Sequence, residues 1–205
     1  ISVDPDTEIL LLTVKAFDTE VVARSIEALT HRPKLVLSLQ NGVENHIVVA
    51  KVLKGVQVYP TVIYVGVGMS DPGEVRHFAR GEIVLPEELH GLVEMFDSAG
   101  IRATTTGNII GMLWEKLALN ASLNAVSMIT NMSFEVLVAD LDVRHVVRAA
   151  AEEVLAVAES LEIEVGVVDP VAQAQSLGPS MSSMCQDYQA GKRIEIEALN
   201  GFVSQ

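Results

Sequence analysis

The chain has 205 residues, 49% of them hydrophobic and 20% charged, which supplies enough apolar side chain for a packed core and excludes a disordered segment. Its 27 acidic residues against 14 lysines and arginines leave a formal charge of -13. That field argues against general affinity for nucleic acid or anionic lipid, while a local basic site could still hold a phosphorylated small molecule. A single cysteine, Cys185, excludes an internal disulfide and a cysteine-type metal cluster, fits a reducing cytoplasm, and reads as a small buried hydrophobe.

No apolar run approaches the roughly 20 residues needed to cross a bilayer. The start, ISVDPDTEILLLTVK, lacks the basic opening and cleavage site of a signal peptide and does not begin with methionine, and EALNGFVSQ ends in the middle of a helical pattern. The expectation is a cytoplasmic protein whose natural chain is longer at the N-terminus and also at the C-terminus.

In chain order, the turn-like DPDT at 4–7 precedes EILLLTVK at 8–15, a continuous apolar run that fits a strand covered on both faces. Residues 18–29 place Val21, Val22, Ile26 and Leu29 at helical spacing, closed by His31, Arg32 and Pro33. A second buried strand, KLVLSLQ at 34–40, leads into the turn Asn41-Gly42, so strand, helix and strand form a βαβ unit within about 35 residues. Residues 56–85 read as antiparallel strands around the turn SDPGE, attached to the parallel sheet. Residues 87–99 are a helix candidate and IRATTT at 101–106 a last strand. After Gly107 the pattern is helical: runs at 109–130 and 133–163, a Gly/Pro-punctuated break at 166–179, and a final stretch from Ser180. This order predicts an α/β domain over 1–107 followed by an all-α domain over 108–205.

The chain offers few catalytic templates. Gly66, Gly68 and Gly73 have the wrong spacing for a GxGxxG loop and precede a strand, so they read as a turn, and a dinucleotide loop would lie upstream of Ile1. The five histidines show no metal-ligand spacing, and neither GxSxG nor HExxH occurs. The informative stretch is WEKLALNASLNAV at 114–126. Positions four apart on an α-helix differ by about 40° around the axis, so Lys116, Asn120 and Asn124 form one slowly winding seam among Leu113, Leu117, Leu119, Leu123 and Val126. It could be the solvated side of the helix. Asparagine, however, costs roughly half a kcal/mol or more relative to alanine in a helix interior, so two of them call for a use. A cleft in which the amides orient a polar ligand and a partly desolvated lysine gives or takes a proton would supply one. The second unusual segment, SSMCQDYQAGKRIEIEALNG at 182–201, is far more polar than the helices before it. By itself it reads as a surface loop and amphipathic helix, with RIEIE open to a strand reading.

Together TVKAFDT at 13–19, LQNGVEN at 39–45, PGEVRH at 72–77, WEKLALNASLNAV at 114–126 and the 182–201 segment resemble, in order, the ketopantoate reductase family of NADPH-dependent 2-dehydropantoate 2-reductases. The resemblance implies a partial Rossmann-like dinucleotide-binding domain followed by a helical domain, with the active site in the cleft between them. It implies Lys116 as the general acid that protonates the developing alkoxide, and Glu195 as a glutamate near the cofactor ribose and active site. Asn120, Asn124 and Ser183 would bind the 2-keto acid, with Ser183 on its carboxylate. Asn41 would lie between nicotinamide and substrate, and Lys15 would contact the cofactor, NADPH. An amide-lined pocket with an ammonium that stabilises charge arising only in the transition state suits this chemistry. The family's glycine-rich loop is not in these 205 residues, so they alone are expected to bind NADPH poorly. A reductase of another branched 2-keto acid is the enzymatic alternative, and a non-catalytic dimerisation or binding module the non-enzymatic one. A homodimer is compatible with the apolar helical half, and neither nucleic acid nor membrane is an expected partner.

Overall fold

The computed structural model describes residue 4 and residues 6–205, so Pro5 of the DPDT turn lies outside the described residues, while Thr7 N–H donates to Asp4 O at 2.9 Å. The chain divides into two compact units. The first comprises Ile1–Val14, Asp18–Gln40 and Glu44–Ile109, and the second Lys15–Phe17, Asn41–Val43 and Ile110–Gln205.

The first unit is α/β. Strands β1 (Ile9–Leu12), β2 (Leu35–Ser38) and β3 (Gln57–Pro60) form a parallel sheet in the order β1-β2-β3. All four residues of β2 are buried, as its unbroken LVLS run requires of a strand covered on both faces. Helices α1 (Thr19–Glu27) and α2 (Asn45–Val52) make the crossovers, and Leu12, Ala23, Ile26, Val36, Val49 and Leu53 form the core under them. A second three-stranded sheet pairs β4 (Val62–Asp71) antiparallel with β5 (Glu74–Pro86), and β5 parallel with β6 (Arg102–Thr106). Helix α3 (Val93–Ser98) follows a 3-10 segment at Glu87–Leu92. Leu35 and Leu37 pack with Ile83, Leu85, Phe96 and Ala103 in one core.

The reading of 56–85 as a hairpin or meander of antiparallel strands holds for β4 and β5 and is corrected at its start, where β3 pairs parallel with β2. The run breaks at Thr61, whose N–H and hydroxyl both donate to Ser38 O (3.1 and 2.9 Å), so β3 stays in the parallel sheet and β4 starts the other. The 87–99 candidate is helical throughout most of its length, a 3-10 helix over Glu87–Leu92 followed by α-helix over Val93–Ser98.

The second unit is helical: α4 (Ile109–Thr130), α5 (Phe134–Ala139), α6 (Leu141–Ser160), α7 (Pro170–Leu177), α8 (Ser183–Gln189) and α9 (Asn200–Val203). Its core joins Leu123 of α4 to Phe134, Leu137, Val138, Val147, Val171 and Ala174. The 133–163 run splits because Asp140 leaves helical geometry and caps α6, its carboxylate accepting from the N–H groups of Asp142 and Val143. The break at 166–179 contains α7, with Asp169 as N-cap, Pro170 in the first turn and Gly178 at φ 60° ending it. RIEIE is not a strand: Glu195 precedes a 3-10 turn at Ile196–Ala198. No helix among the described residues is long and apolar enough to cross a membrane.

Candidate functional site: an amide seam and an ion cluster in the helical unit

Helix α4 is apolar almost all round, with Trp114 3% exposed and set edge-on to Phe202 at 5.7 Å. Burial on so many sides decides the character of the Lys116 seam. Lys116 and Asn120 are half-buried and Asn124 is only 6% exposed, so the seam is not the solvated face of the helix. Two hydroxyls of the same helix return to its own carbonyls, Ser122 Oγ to Ala118 O at 2.7 Å and Thr130 Oγ1 to Val126 O at 2.7 Å, while Ser127 Oγ donates to Met132 O at 2.8 Å. The side-chain amides of Asn120 and Asn124 make no hydrogen bond among the described residues. Amides so placed hold donors and acceptors ready for a ligand, because they keep solvent access and are not committed to a partner among the described residues.

The surroundings of Asn124 are fixed by Ser182. This hydroxyl donates to Asn124 O at 3.2 Å and accepts from Cys185 N–H at 3.1 Å as the N-cap of α8, while Ser182 N–H donates to Ser127 Oγ at 3.4 Å. Ser182 is the structural member of the serine pair. Ser183 stands exposed in the first turn of α8, and its hydroxyl makes no bond among the described residues. Asn200 ties α9 to α4 by donating to Ala121 O at 2.9 Å.

A second cluster forms where the Lys15–Phe17 segment meets the 187–195 segment of the same unit. Lys15 Nζ lies 2.5 Å from Asp187 Oδ2 and 3.4 Å from Glu195 Oε2, and Glu195 Oε1 accepts from Ala16 N–H at 2.8 Å. The Arg193 guanidinium stacks on the Phe17 ring at 4.2 Å. Partial burial pulls the Lys15 pKa down, but the hydrogen bond from Lys15 to Asp187 and the charges of Glu195 and Asp187 outweigh it and hold it above the ordinary lysine value. Lys15 is therefore an ammonium at neutral pH. Glu195 is buried with one oxygen committed to the backbone.

Lys15 follows the C-terminal end of β1 and Asn41 that of β2, the ends at which open α/β sheets bind ligands. Gln40 sets both turns. Its amide donates to Val14 O at 2.9 Å and Thr19 Oγ1 at 2.7 Å, and its oxygen accepts from Ser38 Oγ at 3.1 Å. Asn41 is half-buried, and Gly42 after it adopts φ 93°, a left-handed conformation that favours glycine. All seven residues singled out in the sequence belong to the second unit. Sequence reasoning missed Asp187, Gln40 and Ser182. Only Ser182 carried a local signal, as a serine before a helix.

Residues 2–88 match the family described as Ketopantoate reductase PanE/ApbA, and residues 108–205 match Ketopantoate reductase PanE/ApbA C terminal. A curated 2-dehydropantoate 2-reductase of Archaeoglobus fulgidus is 32% identical over 210 residues, covering 97% of this chain and 69% of the relative. The chain belongs to the ketopantoate reductase family. The crystal structure of a PanE/ApbA family ketopantoate reductase from Ralstonia eutropha JMP134 matches it with a TM-score of 0.87 at 38% identity, over 98% of this chain and 70% of that one. A D-mandelate dehydrogenase solved with NADH and anilino(oxo)acetate shares the fold, with a TM-score of 0.89 at 23% identity, over 99% of this chain and 70% of that one. Membership in the ketopantoate reductase family makes the chain a dinucleotide-binding oxidoreductase with a Rossmann-like α/β part and a helical part.

Proposed function

We propose that this protein reduces 2-dehydropantoate to pantoate with NADPH in the cytoplasm, a step towards pantothenate and coenzyme A. Residues 1–107 belong to its nucleotide domain and 108–205 form its substrate domain. The observation that carries the reading is the Lys116 seam: two amides, one nearly buried, with no partner among the described residues, on the helix that bears the lysine.

In this reading Asn120 and Asn124 fix the keto acid by its carbonyl and hydroxyl oxygens, and Ser183 takes its carboxylate. Lys116 then protonates the alkoxide as the 2-keto carbon is reduced, an effect concentrated in the transition state because the oxyanion exists only there. The residues present fit the cofactor. Lys15 offers a cation, Glu195 Oε2 an acceptor suited to a ribose hydroxyl, and Asn41 an amide beside the nicotinamide. NADPH supplies the hydride when bound. The protein's part is to align the keto carbon, exclude water and hold the proton on Lys116.

The test is an initial-rate assay of the intact protein with NADPH and NADH against 2-dehydropantoate and a panel of other branched and aryl 2-keto acids. The highest kcat/KM is expected for 2-dehydropantoate with NADPH. A higher value for another keto acid would instead identify a related reductase, and no turnover of any would leave a binding module.

A further inference from the structure

Asp187 has no part in the chemistry above, yet it makes the shorter of the two contacts to Lys15, 2.5 Å against 3.4 Å to Glu195. It is well placed to hold that contact rigidly. It sits in α8, and its backbone carbonyl accepts from Lys192 N–H at 2.8 Å across a turn in which Gly191 takes φ 65°. Its side chain is 15% exposed while that of Lys15 is 40% exposed, so the lysine is gripped on one side and open on the other. Without Asp187 the nearest anion for Lys15 would be Glu195, whose other oxygen anchors Ala16 N–H. We infer that Asp187 is a positioning residue for cofactor binding, its carboxylate fixing the Lys15 ammonium so that Glu195 keeps its backbone anchor and presents Oε2 to the ligand.

This rests on the reductase reading, which supplies the ligand, and the charge of the cluster narrows which part of the ligand it meets. One ammonium and two carboxylates sum to -1, or to 0 with the neighbouring Arg193 guanidinium, a balance with no net attraction for phosphate that suits hydroxyl groups, as on a ribose. Arg193, held on Phe17, is the other cation packed beside the segment. Asp187 is 172 residues from Lys15 in the chain, so the contact is a product of the folded unit.

The variants are Asp187→Asn, which keeps the shape and removes the charge, and Asp187→Glu, which restores it. In the intact protein NADPH affinity is read by fluorescence titration, with no substrate present. The Lys15 side chain is read by NMR titration, and thermal unfolding is followed for all three proteins. Asp187→Asn should weaken NADPH binding about tenfold and lower the Lys15 titration midpoint, with Asp187→Glu recovering most of both. Where the enzyme turns over a keto acid, the loss should appear in the KM for NADPH far more than in kcat. Unchanged NADPH affinity in Asp187→Asn overturns the inference. So does tighter binding, which would make Asp187 a latch that the cofactor displaces, and so does a loss that follows thermal stability and is not recovered by Asp187→Glu. Failure of the keto acid assay alone would instead strike the reductase reading, because the fluorescence and NMR readouts need no turnover.

Discussion

Replacing Asn124 by leucine should make the protein more stable and less active. The side chain is 6% exposed in a helix interior, its amide has no partner among the described residues, and leucine has nearly its shape. Two gains follow. Asparagine to leucine in a helix interior is worth about 0.5 kcal/mol in propensity. Full relief of a desolvated unpaired amide is worth roughly 1–3 kcal/mol, but the Asn124 amide keeps solvent access, so the gain here is at most about 1 kcal/mol. The sum, between about 0.5 and 1.5 kcal/mol, corresponds to a rise in Tm of roughly 1–6 °C for a chain of this size. If the amide holds the keto acid, the same change should raise the substrate KM at least about tenfold, since one lost hydrogen bond in a dry pocket costs about that much. Calorimetry and initial rates on one preparation would read both. A fall in Tm of several degrees would refute the reasoning, because it would mean that the amide serves the fold.

Ser182→Ala removes a helix cap and a buried bond to Asn124 O, and should cost about 2 kcal/mol in chemical denaturation; a loss below about 0.5 kcal/mol would count against that role. His46, half-buried in α2, has its pKa lowered by burial, which disfavours the imidazolium. Between its folded pKa and the ordinary value of about 6.5 the unfolded chain binds a proton that the folded chain does not. Its contribution to stability is therefore full above about pH 6.5 and is lost as pH falls from there through the folded value. Stability measured from pH 7 to 5 should fall less in His46→Gln, and identical slopes would contradict the account.

The architecture was legible where periodicity is local. The buried runs at β1 and β2 and the 22-residue α4 follow from apolar patterning alone. The Lys116 seam was legible because two poor helix formers at four-residue spacing conflict with an apolar helix. What escaped depends on distant partners. Thr61 breaks the strand run by bonding to Ser38, 23 residues away, and Ser182 reaches Asn124 across 58 residues. No window of sequence shows such pairs. Helix α7 escaped for a different reason: its Asp-Pro start and Gly-Pro end were visible, but punctuation was read as a loop rather than as the caps of a short helix.

The central claim is that Lys116 donates the proton to the nascent alkoxide, and the most direct measurement is kcat for Lys116→Ala on 2-dehydropantoate at saturating NADPH. The account predicts a fall of about 10²–10⁴-fold, the range of positioned general acids, with the fold intact by circular dichroism. A kcat within about threefold of the parent enzyme would contradict it.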